Sequence, residues 1–274
     1  MRELQASSDS TGRTAQQAVR TDQLLGMDQI LIATPPRGTT SSRQSERIES
    51  GGIRSEPGMA VDPTTQSHPI PTIELLSEAT AEQQLEHLKL IHQRDCPHCT
   101  RSTTHQHIVF GEGDPNAELM FIGEAPGEEE DRTGRPFVGR AGSKLDEMIT
   151  AMGFRREGVY IANVLKTRPP ENRTPVQHEV EACAPYLAAQ VQAIKPRALV
   201  ALGGPAAKLL LQTDTGITQL RGTWGHYGPE GESVPVMPTF HPAYLLRNPT
   251  REVRGQVWDD LKKVLARLGR EVPT

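Results

Sequence analysis

The sequence predicts an α/β fold built on a parallel sheet of four strands, and two observations carry that expectation. Four short apolar runs, residues 119–122, 159–164, 198–202 and 234–237, have the length and composition of buried strands. Each of the first three is followed by a loop and then by apolar residues at helical spacing, the pattern of consecutive βα units.

Taken in order, the ordered part begins with a helix near residues 80–94, where Thr80 and Gln83 form a capping-box pair and Leu85, Leu88 and Ile91 recur on one stripe. Cys96-Pro-His-Cys99 ends it. Further helices are expected at about 141–152, 204–212 and 252–268. The best signalled helix starts at Thr174 as N-cap, with Pro175 at the first helical position and Gln177 completing the box. Its stripe of Val180, Cys183, Leu187, Val191 and Ile194 turns Cys183 inward.

Residues 1–78 contain no Phe, Trp or Tyr, whereas all eleven aromatic residues follow from Phe110 onward. Such a segment buries too little apolar surface to offset the entropy of ordering, so 1–78 reads as a disordered, low-complexity tail and 79–274 as one domain. Residues 24–34 are the one stretch of the tail apolar enough to dock on a replication or repair partner. The tail has seven Arg against ten Asp or Glu, which argues against a nucleic-acid-gripping arm. The remainder is close to neutral, so nothing in the overall charge points to a DNA surface. No apolar run reaches the roughly 18 residues of a membrane span, and the polar start lacks a signal peptide's apolar stretch. A cytoplasmic, monomeric protein is expected. Three cysteines in a reducing compartment point to ligands or core thiols instead of disulfides.

In a parallel α/β sheet, ligands bind beyond the carboxyl ends of the strands, so the loops directly after strands are where chemistry is sought. Three are unusual. The first runs Gly123-Glu124-Ala125-Pro126-Gly127-Glu128-Glu129-Glu130-Asp131 and leads to Gly134-Arg135-Pro136-Phe137-Val138-Gly139. The second holds Asn163, then Lys166-Thr167-Arg168-Pro169-Pro170-Glu171-Asn172-Arg173. The third is His241-Pro242-Ala243-Tyr244-Leu245-Leu246-Arg247-Asn248-Pro249. Singly, each has an ordinary reading as a turn, a cap or a solvated acidic face. Together, in order on one rim of the sheet, they resemble the motifs of the family-4, iron–sulfur-containing uracil-DNA glycosylases, from about residue 95 to 268.

That resemblance implies a three-layer α/β/α fold and hydrolysis of the bond between uracil and deoxyribose in single- or double-stranded DNA. It also implies a role for each matching residue. Phe137 stacks on the everted base, and Asn163 reads its polar edge. Glu130 and the backbone near Ala125 wall off the 5-methyl group of thymine. His241 donates to uracil O2 and Glu124 positions water or stabilises the sugar cation. Leu245 plugs the hole left in the duplex, while Lys166, Arg168, Arg173 and Arg247 contact phosphates. Better-known uracil glycosylases have Asp where this chain has Ala125, so the route to an activated water is open. A module of the same fold that binds uracil-containing or single-stranded DNA without turnover is the alternative.

The family holds a [4Fe–4S] cluster on four cysteines. This chain offers Cys96, Cys99 and Cys183 but has Thr167 at the third position, sixteen residues before Cys183. A hydroxyl is a poor iron ligand beside a thiolate. A four-iron cluster with another fourth ligand, a three-iron cluster and no cluster all stay open, as does zinc held with His98 or His105. In each case the centre is structural, and its loss is expected to loosen the DNA-facing loop before altering the chemistry.

Overall fold

A computed structural model of the protein describes residues 73–99, 104–229 and 231–273. The expected tail and its docking segment at 24–34 lie outside the described residues. The chain runs through α1 (Ala81–Asp95), β1 (Glu112–Gly113), β2 (Leu119–Gly123), α2 (Glu128–Thr133), α3 (Arg140–Ala151), β3 (Tyr160–Asn163) and α4 (Gln177–Ile194). It continues with β4 (Ala198–Leu202), α5 (Gly204–Leu211), α6 (Ile217–Leu220), β5 (Gly225–Tyr227), β6 (Val234–Thr239), α7 (Pro242–Arg247) and α8 (Arg251–Leu268).

The described strands form one sheet in the order β1-β3-β2-β4-β6-β5. The four inner strands are parallel, as expected, and β1 and β5 add antiparallel edges. Strands buried on both faces need apolar residues at every position, with successive side chains going to opposite layers. The packing follows that period. Leu119, Phe121, Ile161, Val200 and Met237 join one cluster, covered by α3 and α8, whereas Met120, Ile122, Ala162, Leu199 and Val236 join the other, covered by α1, α4 and α5. Three layers result, and no described helix is long and apolar enough to cross a membrane.

Two local expectations change. The helix expected from Thr174 opens instead at Gln177, because the carboxylate of Glu179 accepts the Val176 N–H at 3.0 Å and is itself fixed by both guanidinium nitrogens of Arg173. The acceptor thus comes from inside the helix instead of from Thr174. The domain also starts before residue 79. Gln84 exchanges two hydrogen bonds with the Leu76 backbone, at 2.9 and 2.6 Å, and Ile73 and Leu75 pack on the core. The α1 capping box is as expected, with Thr80 and Gln83 exchanging bonds of 2.9 and 3.3 Å.

Phe121 lies in the middle of β2 and is wholly buried. Phe121→Ala is expected to cost about 3–5 kcal/mol of stability, read as a lower urea midpoint at unchanged slope.

Candidate active site

The loops that leave the carboxyl ends of the parallel strands enclose a cleft of about 510 Å³, lined among others by Glu124, Glu130, Phe137, Asn163, His241 and Arg247. That volume suits a small ligand. Residues from three separate loops thus meet at one opening.

The floor is set by Gly123, the last residue of β2. A β-carbon there would collide with both Asn163 Oδ1 and the Phe137 ring, so the two side chains close over the space that glycine leaves. Phe137 is held in the left-handed region at φ 50°, uncommon for a residue with a β-carbon. Its carbonyl accepts from Arg156 at 3.1 Å and sits where Gly142 has no side chain. Asn163 is 1% exposed, and its Oδ1 is buried with no hydrogen-bond partner in the protein. A buried acceptor left unpaired costs about 1–3 kcal/mol, so this atom is poised for a donor from outside.

His241 caps α7, and its Nδ1 accepts the Ala243 N–H at 3.1 Å. The proton therefore resides on Nε2, which is left to donate. Its ring lies 5.6 Å from that of Phe137. Burial, and then the nearby Arg247 charge, push the imidazole down to about 4, so it is neutral at physiological pH. Behind it, Thr239 donates to the buried carboxylate of Asp260 at 2.7 Å, and Arg221 holds that carboxylate through two bonds. Glu124 is half-buried, and burial raises its carboxyl above the usual range. The Glu130 carboxylate accepts from the Gly127, Val138 and Gly139 N–H groups at 2.9–3.2 Å and so ties the first loop to the Phe137 segment.

The profile of the Uracil DNA glycosylase superfamily matches residues 110–262, which include every residue just described. The chain belongs to that superfamily. A type-4 uracil-DNA glycosylase of Thermotoga maritima is 44% identical over 182 residues, 65% of this chain and 92% of the relative. One of Archaeoglobus fulgidus is 42% identical over 183 residues, 65% of this chain and 91% of the relative. A type-5 enzyme of Pyrobaculum aerophilum is 32% identical over 172 residues, 57% of this chain and 75% of the relative. The higher identities place the chain in family 4.

Within this glycosylase fold, several expected DNA contacts are placed otherwise. Lys166 is fully buried and donates to the Asn163 carbonyl at 2.8 Å and to Gln190 Oε1 at 2.6 Å, so it braces the loop from below and touches no phosphate. Burial lowers its ammonium to about 8, against the pull of the Cys183, Cys99 and Cys96 thiols. Leu245, expected as the plug, is 3% exposed and packs in the core, because α7 turns it toward α3, so it does not project from the surface. In that stretch the half-buried Leu246 and exposed Arg247 face outward instead. Arg173, though at the cleft, spends its guanidinium on Glu179. Arg168 is half-buried, bonded to Asn172 at 2.8 Å and 3.8 Å from Glu128.

The three cysteines converge with a residue that sequence reasoning overlooked. His92 precedes Cys96 by one helical turn on the buried stripe of α1, and that i, i+4 spacing is the signal that would have exposed it. The donor atoms of His92, Cys96, Cys99 and Cys183 all lie within 4.8 Å of one another and can hold a metal. Hydrogen bonds from Cys183 and Cys99 hold the Cys96 thiol far below its ordinary range. His98, one of the two histidines expected as a zinc ligand, instead meets Thr167 at 3.2 Å and Glu179 at 3.8 Å.

Because the folded imidazole of His241 titrates below its unfolded value of 6.5, the unfolded chain binds more protons between these values. Its contribution to stability is present above pH 6.5 and is lost as pH falls toward 4. An NMR titration of this ring is expected to give a midpoint near 4, with no change of charge around pH 6.5.

Proposed function

We propose that the protein is a monofunctional uracil-DNA glycosylase, hydrolysing the N-glycosidic bond of deoxyuridine in DNA and leaving an abasic site. The observation that carries this reading is the orphaned Asn163 Oδ1, buried beside an aromatic ring and across from a neutral histidine whose Nε2–H is free to donate. Uracil presents an N3–H donor beside the O4 acceptor, and one locked carboxamide answers both. Cytosine reverses both partners at that edge, leaving buried groups unpaired at about 1–3 kcal/mol each.

Reaching the glycosidic bond requires everting the nucleotide, at a cost of a few kcal/mol. Stacking on Phe137, worth about 1–3 kcal/mol, offsets part of that cost. As the bond breaks, the sugar becomes cationic and uracil anionic. The Nε2–H of the neutral His241 donates a hydrogen bond to the developing charge on O2. Glu124, near the opening, orients water or stabilises the sugar cation. Glu130 and Ala125 form the wall against the thymine methyl, with the Glu130 carboxylate fixing that wall through backbone N–H groups. Arg247, exposed at the cleft, is the guanidinium that contacts a phosphate.

The family's iron–sulfur expectation is supported as far as a Cys/His metal centre at three of the four family positions. That centre lies under the Asn163 loop and contributes no group to the cleft, so it enters no step of this chemistry.

Incubation with a uracil-containing oligonucleotide followed by alkali tests the reading. Strand breaks at uracil are expected; a gel shift without breaks would indicate a binding module instead. His241→Ala should lower kcat by about 10²–10³, the cost of one lost transition-state donor. Asn163→Ala should lose most excision and also the preference for uracil over cytosine. Gly123→Ala should displace Asn163 and Phe137 together and lower kcat/KM by about 10²-fold, while its circular dichroism stays that of the parent. Parent rates in all three variants would contradict the site.

A further inference from the structure

The metal centre of this chain departs from that of its family in ligand identity and in size. We propose that it binds a single tetrahedral zinc ion through His92 Nε2 and the thiolates of Cys96, Cys99 and Cys183, with His92 in place of the thiol that Thr167 does not supply.

Ligand identity follows from burial and direction. His92, Cys96 and Cys183 are 0% exposed and Cys99 is 3% exposed, so the four form a closed set sealed from water. The Nε2 atom of His92 is aimed at Cys99 Sγ, 3.4 Å away. Its ring is wedged against Tyr186 and Phe110, with centroids at 4.6 and 5.7 Å, and its other nitrogen has no hydrogen-bond partner in the protein. The Thr167 hydroxyl stands at the edge of the group, 3.5 Å from Cys99 Sγ, and its other contact is His98.

Size follows from the separations. Zinc binds sulfur at about 2.3 Å and imidazole nitrogen at about 2.0 Å, so tetrahedral ligand atoms stand about 3.5–3.8 Å apart. Cys96 and Cys183 are 3.9 Å apart, as are Cys99 and Cys183, and His92 is 3.4 Å from Cys99. These distances match one ion. They are far too long for a disulfide, whose sulfurs lie about 2.05 Å apart. A [4Fe–4S] group would insert four irons and four sulfides among its ligands, and donor atoms all within 4.8 Å of one another leave no room for them. Three thiolates and Zn²⁺ carry one net negative charge, and the buried ammonium of Lys166 is placed to balance it. A Cys₃His donor set of this kind marks structural zinc.

The centre then has a definite mechanical role. Cys96 and Cys99 belong to the end of α1 and Cys183 to α4, while Lys166 and Thr167 next to them belong to the segment that carries Asn163. Zinc locks the two helices beneath that segment.

Metal analysis of the full chain, purified without chelator, tests this directly. We expect about one zinc per chain, little iron and a colourless protein. Cobalt exchanged into the site should show the visible bands of a tetrahedral thiolate complex. His92→Cys should keep the metal and move the cobalt bands toward a four-thiolate spectrum. His92→Ala should release zinc to a competing chelator at least about 10-fold more readily, since even the loss of an outer partner costs that much. Thr167→Cys should leave the zinc content unchanged. Iron and sulfide in cluster stoichiometry with a brown absorption, a folded protein free of metal, or a His92→Cys cobalt spectrum identical to the parent's would each overturn the proposal. The wild-type measurement decides even if His92→Ala fails to fold.

Discussion

The active site depends on one close approach, in which the Asn163 amide and the Phe137 ring both occupy the space where a β-carbon of Gly123 would be. A strand end is the stiffest place from which to present such a pair, because β2 lies between β3 and β4 and is bonded to both. The neighbouring loops inherit that rigidity. The Val164 and Leu165 N–H groups donate to the Gly123 and Glu124 carbonyls at 3.0 Å, so the second loop is stitched to the first. The proposed recognition of a planar base requires this order, since a carboxamide free to rotate would pair with cytosine as readily as with uracil.

Support for the pair comes from beneath, through charges that the cleft never sees. Lys166 fastens the Asn163 carbonyl to Gln190, whose amide in turn donates to the Phe110 carbonyl at 2.9 Å. A buried ammonium is costly unless it is bonded and faces negative charge. The Cys96 thiolate, with Cys99 and Cys183 beside it, supplies that charge, which couples this candidate metal site to the Asn163 loop through position alone. On the opposite side, the Thr239, Asp260 and Arg221 network fixes the end of β6 from which His241 emerges.

Much of this was legible in the sequence because strands and their following loops announce themselves by pattern. Asn163, Phe137 and His241 could be named since each follows a strand or a glycine-rich turn at a fixed offset, and the structure brings them to one cleft. Lys166 and Leu245 could not be placed, because both sit in loop-like strings where only packing decides between surface and interior. A lysine in a basic segment reads as a phosphate contact, yet here its amine is satisfied inward. Leu245 follows a proline-initiated turn of helix whose phase depends on where α3 lies. His92 was hidden for the converse reason: a histidine on an apolar helical stripe reads as core, and only the convergence of Cys99 and Cys183 from distant segments brings it into a donor set that can hold a metal. The edge strands β1 and β5, two and three residues long, carry too little pattern to be read at all.

A crystal structure with free uracil bound would test the central claim most directly. The account predicts the ring stacked on Phe137 with its N3 within about 2.7–3.2 Å of Asn163 Oδ1 and its O2 facing His241 Nε2. A base lodged elsewhere in the cleft, or an Asn163 amide turned away from it toward the protein, would contradict it.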